Sequence, residues 1–275
     1  MLSLGPKLGE FEDAFARRLG VDDAVAVSNG TTALHLGVRE LGWGPGDEVL
    51  TTPLSFIASS NCLLYEDAKP IFCDVDPATL TIDPAAAEAA AGERTAGILP
   101  VHIFGFSAAI AELERLAAAR GLGVLEDCAQ ALGAVDSDGR QAGTRGNPSA
   151  FAFYANKQLT TGEGGMLVPG SSEAAAVARS ERNQGRAPGM KLMDHERVGF
   201  NYRLTDIAAA LGIAQLERLD EMLTARARIA ADYSRHFAEL GGSQPGMGDP
   251  DDLILPLADR DPERRSWFVY VLRLP

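Results

Sequence analysis

Lysine is scarce in this chain. Only Lys7, Lys69, Lys157 and Lys191 occur, against 21 arginines in 275 residues. Basic charge is in deficit overall, and the formal net charge is −13. Such a balance repels phosphate backbones and argues against a nucleic-acid partner, while leaving room for a small phosphorylated ligand held by a local cluster of donors. Cysteine is scarce too: Cys62, Cys73 and Cys128, an odd number with no CxxC pair, which excludes a disulfide framework and a zinc knuckle. We read them as reduced, mostly buried thiols of a cytoplasmic protein. No apolar run has the length of a membrane span, so no membrane partner is expected, and the N-terminus lacks the order of a signal peptide. The four histidines, His35, His102, His195 and His236, are scattered, with no HExxH, so no metal site is expected. GxGxxG, GxxxxGK[ST] and GxSxG are all missing, which removes the usual dinucleotide, ATP and hydrolase signatures.

What is present is an alternation. Leu8, Phe11, Phe15 and Leu19 have helical spacing at the N-terminus. From residue 21 to 168, short apolar strands ("AVAVS", "EVLTTP", "KPIFCDV", "AGILPV", "LGVLED", "AFAFYA", "GGMLVP") are separated by helical stretches. This pattern predicts an α/β fold with a mainly parallel central sheet and helices on both faces. Ligands bind such sheets at the carboxyl ends of the strands. Residues 171–183 read as a helix, 184–203 as a long polar loop, and 204–240 as one long helix with a stripe of Leu204, Ile207, Leu211, Leu216, Leu219 and Leu223. The final "SWFVYVLRLP" reads as a strand. We divide the chain into a large domain, 1–225, and the start of a small C-terminal domain, 226–275.

Five stretches could carry chemistry. In "FYANKQLTTGEGG", Lys157 follows an apolar run. A desolvated lysine sheds its proton and attacks an aldehyde, which arginine cannot do; the alternative is a solvated lysine at a strand end. In "EDCAQ", Asp127 ends a strand, where a buried carboxylate can hold the proton of a pyridine nitrogen; otherwise it caps a helix. "SNGTTAL" leads from a strand through Gly30 into a helix, so Thr31 and Thr32 could offer backbone N–H groups and hydroxyls to a phosphate; an ordinary N-cap is the alternative. In "TTPLSFIASSN", Phe56 could stack on a flat heterocycle or fill the core. His102, in "VHIFG", is a site residue or a histidine satisfied by nearby backbone. A phosphate cradle, a ring stacker, an acid for a ring nitrogen and an aldehyde-capturing amine together make up what pyridoxal phosphate (PLP) requires.

These stretches, with "GPKLGEFEDAFA", "PVHIFG", "LEDCAQALGA", "RNQGR" and "GFNYRLTDIAAALGIAQLERLD", resemble the DegT/DnrJ/StrS family of sugar aminotransferases over almost the whole chain. The resemblance implies fold type I and a PLP-dependent transfer of an amino group, with glutamate as donor, to a keto sugar on a nucleotide. By the same resemblance, Lys157 bonds the cofactor, Asp127 meets the pyridine nitrogen and Phe56 stacks on the ring. Gly30, Thr31 and Thr32 bind the phosphate, Gln130 lies near the 3-hydroxyl, and Asn201 reaches the phosphate of a partner subunit in a homodimer. "NQGRAP" and "LMDHERVGFNYR" resemble perosamine-type 4-amino sugar synthases, but relatives acting on 3-keto sugars or cyclitols share the motifs. The chain departs from the family twice. Ala152 stands where many relatives have serine, and the chain is shorter than its relatives at both ends, which leaves the small domain incomplete. A PLP-binding regulatory protein, or an inactive fragment without turnover, is the competing reading.

Overall fold

A computed structural model describes residues 2–186, 194–248 and 252–274. Lys191 and the middle of the polar loop expected at 184–203 lie outside the described residues. The chain runs α1 (Pro6–Leu19), β1 (Val25–Val27), α2 (Gly30–Glu40), β2 (Glu48–Thr51), α3 (Ala58–Leu64), β3 (Lys69–Phe72), α4 (Pro84–Ala90) and β4 (Thr95–Ile98). It continues through α5 (Ile110–Arg120), β5 (Gly123–Val124), β6 (Glu126–Asp127), β7 (Ser149–Ala152), β8 (Gly165–Val168), α6 (Ser172–Arg182), α7 (Asp206–Glu217) and α8 (Leu219–Glu239).

The strands form two four-stranded ladders, β3-β2-β4-β5 and β1-β8-β7-β6. They join because β5 and β6 are one line of chain. Between and beyond them, Leu125 N–H donates to the Ile98 carbonyl and Asp127 N–H to the Pro100 carbonyl, so the pairing with β4 runs on. Every strand is parallel to the others except β8, which runs antiparallel to both β7 and β1. The carboxyl ends of β1, β2, β4, β6 and β7 therefore share one edge of the sheet.

Alternation along the strands divides the core. Ala24, Ala26, Phe151, Phe153, Met166 and Val168 face one side, where they meet Leu8, Phe11, Phe15 and Leu19 of α1. Val25, Val27, Ala150 and Leu167 face the other, with Ala33, Leu34 and Leu36 of α2 and Leu63 of α3. Phe11, Phe15, Phe151 and Phe153 meet edge to face, with centroids 5.2 to 6.3 Å apart. The amphipathic N-terminal helix thus forms as its spacing predicts, with all four of its expected apolar residues buried.

Two expectations are corrected. The long helix at 204–240 is two helices, broken at Arg218 (φ −101°, ψ 0°), which ends α7 and begins α8. Its apolar stripe does not face one core either: Leu204 and Leu219 are buried, but Ile207 and Leu211 are exposed. The buried face of α7 is built from Ala209 and Gly212 instead, because α1 approaches so closely that a Cβ on Gly212 would stand 2.6 Å from the Phe11 ring. "SWFVYVLRLP" is not a strand. A strand needs a neighbouring backbone to pair with along its length, and the described residues of this segment make only isolated backbone contacts. Arg273 bridges Ile254, and Ser266 N–H donates to the Gly105 carbonyl. The boundary at 225 falls inside α8, which crosses it unbroken.

Candidate active site

Lys157 sits five residues beyond the end of β7, in a turn closed by its own N–H to the Tyr154 carbonyl (3.0 Å). Its side chain is not solvated at a strand end. Burial pushes its pKa below the ordinary lysine value, partly opposed by the negative charge of Asp127. The Nζ lies 4.3 Å from the centre of the Phe268 ring.

Asp127 closes β6 and is 4% exposed. Its Oδ2 accepts from the Ser59 hydroxyl (2.7 Å) and its Oδ1 from Ala129 N–H (3.0 Å). The Ser59 hydroxyl is in turn 2.7 Å from that of Ser55. Among the described residues no cation is within ion-pair distance of Asp127. A buried carboxylate without a positive partner is costly. Its donor set, two neutral hydrogen bonds and no cation, leaves capacity for a protonated ring nitrogen.

Phe56 does not belong to the core; it is 70% exposed. It lies one helical turn before Ser59, so the residue that fixes Asp127 also fixes the backbone that carries the aromatic. Gln130 turns its Oε1 to Phe104 N–H (2.9 Å), while its carbonyl accepts from Gln158 Nε2 (2.5 Å).

The helix start at Gly30 is pressed onto the sheet. A Cβ on Gly30 would stand 2.6 Å from the Ala152 Cβ, and one on Gly165 would stand 2.4 Å from the Asn29 carbonyl oxygen. Thr32 is engaged with its own helix start. Its N–H donates to Asn29 Oδ1 (2.9 Å), while its hydroxyl accepts from Asn29 N–H (3.3 Å) and donates to the Asn29 carbonyl (2.8 Å). This capping box holds α2 in place and commits both donors of Thr32. The first two N–H groups of the helix, those of Gly30 and Thr31, have no intrahelical acceptor, and with the Thr31 hydroxyl they are the donors left for an anion. Gly30→Ala is expected to lower stability by about 1–2 kcal/mol, because overpacking outweighs the better helix propensity of alanine. Adding Ala152→Gly should recover most of it; urea unfolding of the single and double variants tests this.

Asn201 is exposed, and its backbone bridges Asn183. Its neighbours Phe200 and Tyr202 stack 4.8 Å apart and rest on α2, through a 2.9 Å hydrogen bond between the Tyr202 hydroxyl and His35 Nδ1 and through Arg39 over the Phe200 ring. The loop bearing Asn201 is thus tied to the same helix that offers the anion donors.

His102 is fully buried. Its Nδ1 accepts Ala108 N–H (3.0 Å) and its Nε2 meets Glu126 (2.9 Å), so it is satisfied by backbone and a neighbouring carboxylate. With Cys128 these two residues form a buried cluster within 4.8 Å that the scattered spacing of the histidines did not suggest. Sequence reasoning also missed Ser59, Gln158, Arg226 and Phe268. Ser59 had a signal, standing one helical turn after Phe56; Arg226 and Phe268 had none, being far from Lys157 in sequence.

Seven lines of mostly parallel strand, with a desolvated lysine and a buried carboxylate on one carboxyl edge, define the class: the PLP fold type I architecture of aminotransferases. The solved structure of S. venezuelae DesV superimposes with a TM-score of 0.91 at 36% identity, covering 100% of this chain and 70% of that one. The structure of NtdA from Bacillus subtilis, which holds the cofactor PMP, matches at 0.87 and 28% identity, covering 100% of this chain and 60% of that one. The chain belongs to the DegT/DnrJ/EryC1/StrS aminotransferase family, which it matches over residues 1–275. GDP-perosamine synthase of Caulobacter vibrioides is 44% identical over 239 residues, 87% of this chain. The match spans 64% of that protein, less than two thirds of its length.

Proposed function

We propose that the chain carries the cofactor-binding part of a PLP-dependent aminotransferase that moves an amino group from an amino acid, glutamate, to a keto sugar linked to a nucleotide. The observation that carries this reading is the pairing of a desolvated Lys157 with a buried, cation-free Asp127 at one sheet edge. PLP, when bound, supplies an aldehyde that takes up the amino group and a ring that spreads negative charge. The donor set fits it. Gly30 and Thr31 would hold its phosphate through helix N–H groups, Asp127 its ring nitrogen, Phe56 a ring face, and Gln130 the edge near the 3-hydroxyl.

The chain's own residues divide the remaining work. The Lys157 Nζ, depressed in pKa by burial, is the amine that anchors the cofactor and afterwards accepts and returns a proton at the reacting carbon. Asp127, oriented by its two hydrogen bonds, would hold the proton of the ring nitrogen in place. Ala152 offers no hydroxyl, so this site has one phosphate donor fewer than relatives with serine there.

The relatives named GDP-perosamine synthase support a nucleotide-linked keto sugar as acceptor. A homodimer with shared sites is supported by exposed Asn201 and by a run of exposed apolar residues, Phe56, Ile57, Leu64, Tyr65 and Ile207. We keep the division at 225, with α8 as the connection to a second domain. Three buried, unpaired cysteines support a reducing compartment, the cytoplasm, and no described helix is long and apolar enough to cross a membrane.

The test is a half-reaction. Protein purified with PLP is given glutamate alone, and the visible absorbance of the lysine-bound cofactor should disappear as the amino form grows in. A nucleotide-linked keto sugar should then restore the first spectrum. A spectrum that glutamate leaves unchanged would sink the transfer reading and favour cofactor binding without turnover.

A further inference from the structure

The last part of the chain returns to the lysine. After α8 it comes back so that Phe268 places its ring face 4.3 Å from Lys157 Nζ. Four hydrogen bonds tie the ring's segment to the lysine turn. Arg226 of α8 donates from Nη1 to the carbonyls of Trp267 and Phe268 (3.1 Å each), and its Nη2 reaches the Lys157 carbonyl (3.4 Å). Gln158, next to the lysine, donates to the Ser266 hydroxyl (2.9 Å). The segment also presses on Gly105 (φ +82°), where a Cβ would stand 2.7 Å from Trp267 N and 2.9 Å from Phe268 N. Trp267 itself is held at φ +38°, a region a bulky residue enters only when its surroundings impose it. One guanidinium therefore fixes both the lysine turn and the aromatic that faces it.

We propose that Phe268, clamped by Arg226, is a positioning residue that holds the Lys157 amine by its ring face and stabilises it in the proton-bearing form. The negative face of an aromatic ring attracts an ammonium, and more strongly where water is excluded. A lysine that must accept a proton during turnover gains basicity from such a neighbour, against the burial that drains it. The groups that face Lys157 are Asp127 from β6, whose charge also favours the ammonium, and Arg226 from α8, whose guanidinium lies at the lysine carbonyl. Phe268 acts alongside Asp127 but from the other domain's side of the chain. The catalytic meaning rests on the reading of Lys157 given above; the titration below does not.

The experiment uses cofactor-free protein labelled with ¹³C at lysine Cε. With only four lysines in the chain, the Lys157 signal is assignable by its loss in Lys157→Arg. In the unaltered protein this signal should show an upfield ring-current shift. In Phe268→Leu that shift should vanish and the titration midpoint should fall. Phe268→Tyr, which keeps the ring face, should preserve both. Phe268→Met fills the volume without a π face and should behave as leucine does, which covers the case where the leucine variant fails to fold. Titration unchanged in the leucine or methionine variant, or lost equally in the tyrosine variant, would overturn the proposal. A failed glutamate half-reaction with this titration intact would count against the aminotransferase reading and not against Phe268.

Discussion

Lys157→Ala should remove the visible absorbance of the bound cofactor and lower turnover by more than about 10⁴-fold, since it deletes both the amine that anchors the aldehyde and the proton carrier. The substitution is a clean one structurally. The Lys157 backbone N–H and carbonyl keep their partners, Tyr154 and Arg226, and among the described residues the side chain has no hydrogen bond to lose. Stability should therefore change little, and the thermal midpoint serves as the control. Lys157→Arg is the sharper comparison. It keeps a positive charge near Asp127 and a cation against Phe268, but guanidinium does not give up its proton near neutral pH. If the arginine variant kept turnover, the amine would not be the nucleophile. If the alanine variant kept the visible band, another residue would be holding the cofactor.

The sequence made the frame legible where periodicity has a single reading. Short apolar runs between helices predicted the parallel sheet, and Leu8, Phe11, Phe15 and Leu19 all went to the core of α1 as spaced. It misled where an apolar pattern had two possible outlets. Ile207 and Leu211 satisfy helical spacing with Leu204 but stand exposed. "SWFVYVLRLP" alternates like a strand, yet its residues spend their contacts on Lys157, Gly105 and Arg226 instead of on a neighbouring strand. Thr32 shows what spacing leaves open. "SNGTT" announces a helix start, but spacing does not say whether a hydroxyl serves the helix or a ligand, and the geometry commits it to Asn29. The support of the site was the least legible part. Ser59 meets Asp127 across 68 residues and Arg226 meets Lys157 across 69, distances at which a single sequence carries no contact signal.

Asp127→Asn should weaken cofactor binding by about 10²–10⁴-fold, the range expected when one member of a buried ion pair, worth about 3–5 kcal/mol on removal, is lost. The amide is nearly isosteric. Its carbonyl oxygen can still accept from either Ser59 or Ala129, so the fold should hold, and unfolding of the cofactor-free protein should even become slightly harder, because a cation-free buried charge has been neutralised. That opposite sign is the discriminating feature. A carboxylate kept for structure would give a less stable apoprotein and leave cofactor affinity near its original value. A carboxylate kept for a protonated ring nitrogen gives a more stable apoprotein and poor affinity, with the remaining bound fraction turning over slowly because the ring no longer retains its proton. Ser59→Ala should lie between the two. It strips one donor from Asp127 Oδ2 and loosens the carboxylate's orientation, so it should weaken cofactor binding less than Asp127→Asn does while leaving the absorbance at saturating cofactor intact. Calorimetric unfolding without cofactor, paired with a fluorescence titration by PLP, reads both quantities on the same three proteins. An Asn variant that binds PLP as tightly as the unaltered chain would remove Asp127 from the site.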